Sequence, residues 1–405
     1  MSVAQRLRDG LRLSVEDRRP LRRPTLDRTR PGGSVLLVSE SLPERDRDAG
    51  GLFIWQLLQL LVEAGLPVTV FAHDRIRRQP YLRQLQGIGV RVLAPDEDWR
   101  AWVKANDERL GSVIVARPEM GRRYAGQIRR MTSARLIYYT MDLHFVREMR
   151  RYETTADARA LSESRRLRKV ETRLLNAADV AITPSAAEAT LIEQVAPQTP
   201  VYVVPPFVVA GVGRDSPEPP LAERRALVMV GGYKHLPNLD AALHLVRDVM
   251  PIVWRAEPQA MVEFVGSDPP ASVLALSSDR VLVRGHVPDI AEVYSRARMS
   301  VSPLRFGAGI KGKILTSLEA GVPVVTTSIG NESIDLISGE EALIGDEPQL
   351  LAEHVIRLYR DTELLERIAA GGRMAAMTRF SRERARAALM AALGAVASAQ
   401  DPIPR

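Results

Sequence analysis

The sequence predicts an α/β protein built from two doubly wound domains that face each other across a cleft. Three observations carry that prediction. Short apolar runs alternate with helical patterns, the mark of a parallel sheet covered by helices. The alternation stops at a Pro/Gly-rich stretch near residue 211 and then restarts. The chain has 405 residues, more than one domain of about 150 residues accommodates.

In the first unit, Val35 to Ser39 reads as a buried strand, followed by a loop and an amphipathic helix near Gly51 to Ala64. Further strands are expected at Pro67 to Ala72, Val90 to Leu93, Ser112 to Ala116, Arg135 to Thr140, Val180 to Thr183 and Val201 to Val204, with a charged helical stretch from Arg147 to Asn176. Gly211 to Pro220 holds three prolines and two glycines, which reads as a linker. The second unit offers strands at Ala226 to Val230, Met261 to Val265, Val281 to Arg284, Met299 to Pro303 and Val322 to Thr326. Helices are expected at Asn238 to Trp254, at Ile310 to Ala320, and over most of Pro348 to Ala399 with a break at Gly371-Gly372. The boundaries are then a basic flexible tail at 1–33, a first domain at 34–210, a linker at 211–225, a second domain at 226–375 and a closing helical segment at 376–405.

Composition narrows the chemistry. There is no cysteine, which excludes a disulfide scaffold, a thiol nucleophile and a Cys-ligated zinc or iron–sulfur centre. The longest apolar run, Gly51 to Val62, ends at Glu63 and is too short to span a membrane. No secretory leader is expected, because the arginine-rich N-terminus lacks an apolar stretch, so the expected location is cytoplasmic. The net charge is +7, but residues 1–33 alone contribute +5 through nine arginines against four acids, leaving a nearly neutral body. The tail reads first as a solvated segment. Val3, Leu7 and Leu11 beside Arg6, Arg8 and Arg12 give it a second reading, a weak contact with the inner face of an anionic membrane. No nucleic-acid partner is expected, since no recognition motif accompanies the charge.

Glycine loops at strand ends carry the functional signal. Gly50-Gly51 sits between the first strand and its helix, where backbone amides point outward. Ser302 to Leu315 is the most informative stretch: a strand ends, Gly307-Ala308-Gly309 forms a loop, and a helix begins with Lys311 and Lys313 at its start. A cation and amides at a helix N-terminus are what a diphosphate needs. Only five lysines occur in this arginine-rich chain, and two fall in that window. If both were helical, only one could point at a ligand, because residues two apart do not share a face. Gly231-Gly232 with Lys234 repeats the pattern at the first strand of the second unit. Asp142 and His144 follow the strand Arg135 to Thr140, at the end where such sheets bind ligands, and suit acid–base chemistry or binding of sugar hydroxyls. The strings Asp46-Arg47-Asp48 and Asp96-Glu97-Asp98 lack a metal-binding context, so no metal is expected.

These residues resemble a family. The chain is similar, from Val35 to Phe380 and most strongly from Val228 to Ile329, to the retaining glycosyltransferases of the two-Rossmann-domain (GT-B) fold, in the large group called family 4. The stretches that carry the resemblance are Asp48 to Gly51, Asp142 to His144, Val230 to Asn238, Pro303 to Lys313 and Ala320 to Thr327. The resemblance implies a nucleotide-diphosphate sugar as co-substrate on the second domain, with no further cofactor and no metal. It places a glycan, lipid-linked or other hydroxyl acceptor on the first domain. Gly50 and Gly51 would face the sugar and phosphates, and His144 with Asp142 the donor sugar. Lys234, Gly307, Gly309 and one of Lys311 and Lys313 would hold the diphosphate. The closing helix, about Arg382 to Val396, would cross back to the first domain. The family's ribose-binding glutamate, five residues before the Gly of Gly-x-Pro-Val, falls on Thr316 here. Glu319, one helical turn on, is the candidate substitute. The expected activity is therefore sugar transfer in glycan or cell-envelope polysaccharide synthesis. The rivals are a sugar-nucleotide epimerase or hydrolase on the same fold, and a degenerate binding module that the Thr316 departure keeps in play.

Overall fold

The computed structural model describes residues 33–208 and 219–394. The basic tail, the linker stretch 211–218 and the end of the closing helix lie outside the described residues. The first sheet has seven parallel strands: β1 (Ser34–Ser39), β2 (Val68–Ala72), β3 (Arg91–Val92), β4 (Leu110–Ala116), β5 (Arg135–Tyr139), β6 (Val180–Thr183) and β7 (Val201–Val203). Their order is β3-β2-β1-β4-β5-β6-β7. The second sheet has six: β8 (Ala226–Val230), β9 (Met261–Val265), β10 (Val281–Gly285), β11 (Ala297–Ser302), β12 (Val324–Thr326) and β13 (Leu343–Ile344), in the order β10-β9-β8-β11-β12-β13. Both are doubly wound α/β units. In each, the chain builds outward to one edge and then returns to build the other. The winding reverses between β1 and β4 and between β8 and β11, and there the loops at the strands' carboxyl ends diverge and leave a crevice.

The central strands are continuous apolar runs because helices cover both faces of the sheet. Leu36, Leu37 and Val38 of β1 are fully buried, the first and third against one layer and the second against the other. The helix Ala49–Glu63 starts where the Asp48 carboxylate accepts the Gly51 N–H at 2.8 Å. Asp98 caps the helix Trp99–Asn106 in the same way, so each aspartate string supplies an N-cap.

The two domains meet through helix starts. A Cβ at Gly312, the first residue of the helix Gly312–Glu319, would lie 3.0 Å from the Ala49 Cβ and 3.3 Å from the Phe53 ring. The chain leaves the first domain at Phe207, whose carbonyl accepts from the buried Gln56 amide at 2.6 Å. It returns at Phe380, whose carbonyl accepts the Val208 N–H at 2.9 Å. Exit and re-entry are thus joined. The closing helix Arg382–Gly394 then lies on the first domain: Arg135 donates to the Leu393 carbonyl at 2.5 Å, and Arg382 pairs with Glu63.

Several elements differ from expectation for identifiable reasons. The charged stretch after β5 is two helices, His144–Thr155 and Ala158–Ala177, split at Ala156, which adopts a left-handed φ of 55°. The helix expected over Asn238 to Trp254 is Leu236–His244, a wide π turn Leu245–Val249 and Met250–Ala256. Pro251 has no N–H to bond back to Arg247, and the wide turn absorbs that loss. Gly371 and Gly372 do not break a helix. They sit inside Thr362–Arg379, where a Cβ would meet the Glu340 carbonyl oxygen at 2.2 Å and that of Glu341 at 2.5 Å. The breaks fall at Asp361 and at Phe380-Ser381 instead. Strand β13 was not expected from the sequence, because two residues are too few to show a period.

Leu389, on the closing helix, is fully buried in the same apolar cluster as Val180 and Ile182 of the first domain. Leu389→Ala should therefore destabilise the protein by about 2–5 kcal/mol, measured by denaturant unfolding of the full chain. Near-neutral behaviour would mean that the helix does not complete the first domain's core.

Candidate functional site

The carboxyl ends of both sheets open into one cavity of about 800 Å³ between the domains. Loops after β1, β4 and β5 form one wall, and loops after β8, β9 and β11 form the other. Of the residues singled out from sequence, Gly50, Asp142, His144, Lys234, Gly307, Lys311, Lys313 and Thr316 line this cavity. Gly51, Gly309 and Glu319 do not line it.

Each of the three has another place in the structure. Gly51 packs inside its own loop, where a Cβ would come within 2.6 Å of the Glu44 carbonyl oxygen. Gly309, at φ 65°, seals the domain contact instead: a Cβ there would lie 3.0 Å from the Asp142 Cβ. Glu319 ends the helix Gly312–Glu319 away from the cavity, whereas Thr316 faces it.

Lys311 and Lys313 both face the cavity, because the condition under which only one could point at a ligand, that both be helical, is not met. Lys311 is not helical. It occupies the N-cap at φ −92° and ψ 89°, and no side chain caps the helix that starts at Gly312. Lys311 is only 7% exposed. Its ammonium donates to the Gly309 carbonyl at 2.6 Å and lies 3.4 Å from the Glu332 carboxylate. Lys313 donates to the Asn238 side-chain oxygen, while the Asn238 amide donates to the Gly232 carbonyl at 2.9 Å. Burial lowers the Lys311 pKa, offset in part by Glu332. Burial, with Lys311 close by, lowers the Lys313 ammonium to about 7. Lys234 is different: it stands on the rim with its side chain 84% exposed, 3.3 Å from Asp268.

The opposite wall is organised around Asp142. Its carboxylate bonds Arg147 at 2.5 Å and His144 Nε2 at 3.2 Å. Burial alone would raise the Asp142 pKa, but Arg147 and His144 hold it below the ordinary carboxylate range. Beneath it, Glu188 accepts the Leu143 N–H at 2.7 Å, and Glu171 accepts the Phe145 N–H at 2.9 Å and the His144 N–H at 3.2 Å. These glutamates tie down the amides that open the helix His144–Thr155. Burial, reinforced by the nearby Asp142 charge, pushes both up to about 8. At neutral pH they hold protons, and Asp142 is the ionised member of the trio.

Sequence reasoning missed three contributors. Arg147 fixes Asp142, and its position three residues after His144 on one helix face is a signal that could have revealed it. Asn238 orients Lys313. Arg117, at φ 71°, lines the cavity beside Met141, at φ 62°. Left-handed non-glycine backbone of this kind costs about 1–3 kcal/mol and clusters at functional sites.

Comparison with known proteins agrees with this fold. Residues 224–361, which hold the lysine wall, match the family model for glycosyl transferases group 1. An uncharacterized 44.6 kDa protein in the cps region of Klebsiella pneumoniae is 22% identical over 152 residues, 35% of this chain and 39% of that protein. The match thus spans well under half of that relative's length. Sucrose-phosphate synthase from Thermosynechococcus elongatus superposes with a TM-score of 0.65 at 18% identity, over 87% of this chain and 96% of that one. Anabaena HepE in complex with UDP-glucose superposes with a TM-score of 0.64 at 14% identity, over 89% and 99%. The fold is therefore GT-B, and the family match in the second domain supports a GT-B glycosyltransferase.

Proposed function

We propose that the protein moves a sugar from a nucleotide-diphosphate sugar to a hydroxyl acceptor, with the anomeric configuration retained and without a metal ion. The observation that carries this reading is the pair Lys311 and Lys313, two ammonium groups at a helix N-terminus inside the cleft. When the bond from the sugar's anomeric carbon to the diphosphate breaks, the electron pair leaves with the diphosphate. The two lysines and the helix dipole stabilise that growing charge, and supply the positive potential that a divalent cation would otherwise provide.

The acceptor oxygen then bonds the anomeric carbon and loses its proton. Asp142 is poorly suited to take it, because Arg147 and His144 hold its carboxylate ionised and weakly basic. In this reading the departing phosphate oxygen takes the proton on the face where the acceptor enters, which is the requirement for retention. Asp142 then fixes the His144 ring, which hydrogen-bonds the donor sugar. Thr316, on the opposite wall with the lysines, faces the nucleoside. UDP and UDP-glucose, bound by the structural neighbour HepE, are the first nucleotides to test. The structural neighbour WaaG, a glycosyltransferase involved in lipopolysaccharide biosynthesis, makes cell-envelope polysaccharide the favoured product class.

Lys313→Ala should lower donor-dependent transfer by about 10²–10³-fold with the fold intact by circular dichroism, and Lys311→Ala should do likewise. Full activity in both variants would remove the site from consideration. A second test uses pH. Lys313 loses its proton above about 7, and a diphosphate binds best to the protonated form. Calorimetry should therefore show UDP affinity falling between pH 7 and 9. Lys313→Met should bind more weakly at pH 7 and show a shallower pH dependence; an unchanged slope would mean that Lys313 is not the titrating group.

A further inference from the structure

A half-buried ion cluster outside the cavity lining joins the two domains directly behind Lys311. Arg150, on the helix His144–Thr155 of the first domain, forks onto Glu332 of the second, at 2.5 Å and 2.8 Å. The same guanidinium donates to the Gly307 carbonyl at 2.7 Å. Glu332 follows the helix Ser328–Asn331 after β12, and its carboxylate is also the partner of Lys311, at the longer distance of 3.4 Å. Beside it, the Ser333 and Ser185 hydroxyls meet across the domains at 2.7 Å, and the Ser333 oxygen accepts the Ala187 N–H at 3.2 Å. Neither Arg150 nor Glu332 lines the cavity.

We propose that Arg150 and Glu332 are a positioning pair that couples closure of the cleft to anion binding. This rests on the lysine site described above. Within the second domain alone, Glu332 and Lys311 neutralise each other, and a site with no net charge attracts a diphosphate weakly. Closure brings Arg150 onto the same carboxylate with a two-pronged, charge-assisted geometry. Two cations then share one anion, and the cluster carries a net positive charge at the moment when the first domain, with its acceptor wall, is in place. Lys311 is freed to serve the ligand. By linkage, an anion on Lys311 must favour the closed arrangement by the same factor that closure favours the anion. The hold on the Gly307 carbonyl keeps the anion loop in register with that motion.

The titratable and charged groups facing Lys311 are Glu332, Arg150, Glu188 and Lys313. Their signs make the proposal testable without knowing the donor. The chain has five lysines, so the 13Cε resonances of a lysine-labelled sample can be followed one by one, with Lys311 assigned by its loss in Lys311→Arg. Glu332→Gln removes the counter-charge and should lower the Lys311 titration midpoint. Arg150→Met hands Glu332 back to Lys311 and should raise it. Opposite shifts support the coupling; a shift of the same sign in both variants, or no shift in either, overturns it. With UDP as the probe, Arg150→Met should weaken binding roughly tenfold, and Arg150→Lys should regain most of it. Equal affinity for wild type and Arg150→Met would also overturn the coupling. Failure of the wild type to bind UDP counts against the donor reading instead, and the lysine titration still decides this one.

Discussion

Everything at this site depends on how closely two helix N-termini approach each other. The helices Ala49–Glu63 and Gly312–Glu319 belong to different domains, yet their first turns touch at Gly312, where a Cβ would crowd both Ala49 and Phe53. Both positive dipole ends then face one volume, and the lysines beside Gly312 sit in an interface rather than on a surface. That placement accounts for their chemistry. An exposed lysine would be fully hydrated and firmly charged; half-buried Lys313 and buried Lys311 are partly desolvated, so an anion that replaces the lost water gains more from them. The close approach costs helix propensity at one glycine and gives the cleft its electrostatic character.

The first-domain wall shows the complementary arrangement. Three carboxyl groups, Asp142, Glu171 and Glu188, lie close enough to disfavour one another's charge. Their partners separate them. The glutamates receive backbone N–H groups and, at Glu188, the Thr183 hydroxyl, with no charged donor, and keep their protons, whereas Asp142 receives Arg147 and His144 and stays ionised. The result is one fixed negative charge, held in a frame that backbone amides make rigid. A wall so arranged orients the His144 imidazole; it is not built to move protons through Asp142.

How much of this was legible in the sequence depends on the separation between partners. Strands β1, β2, β4, β5 and β8 declared themselves because an apolar run bounded by turns is a local signal. The glycine loops at strand ends were legible for the same reason, and they led to Lys311 and Lys313. Gly371-Gly372 misled, because a glycine pair signals a break and a close helix contact identically; only the neighbouring Glu340 and Glu341 carbonyls distinguish the two. The geometry of Lys311 was hidden by two residues of helix boundary, the start falling at Gly312 rather than Ile310. Arg150 and Glu332 lie 182 positions apart, and no period or motif connects them. Pairs of that kind emerge only once two domains are set face to face.

Thr316 illustrates what a departure from a family pattern means physically. Its hydroxyl donates back to the Lys313 carbonyl at 3.0 Å, as Ser317 does at 2.8 Å, and the Tyr294 hydroxyl reaches the same carbonyl at 3.3 Å. Three hydroxyls therefore converge on the backbone of the residue whose ammonium faces the cavity. A carboxylate at 316 would bring a negative charge against that carbonyl oxygen. The threonine removes that repulsion and ties down the first turn of the helix instead. The lysine pair therefore shares this wall of the cleft with the Glu332 carboxylate, 3.4 Å from Lys311, and Thr316 adds no second negative charge to it.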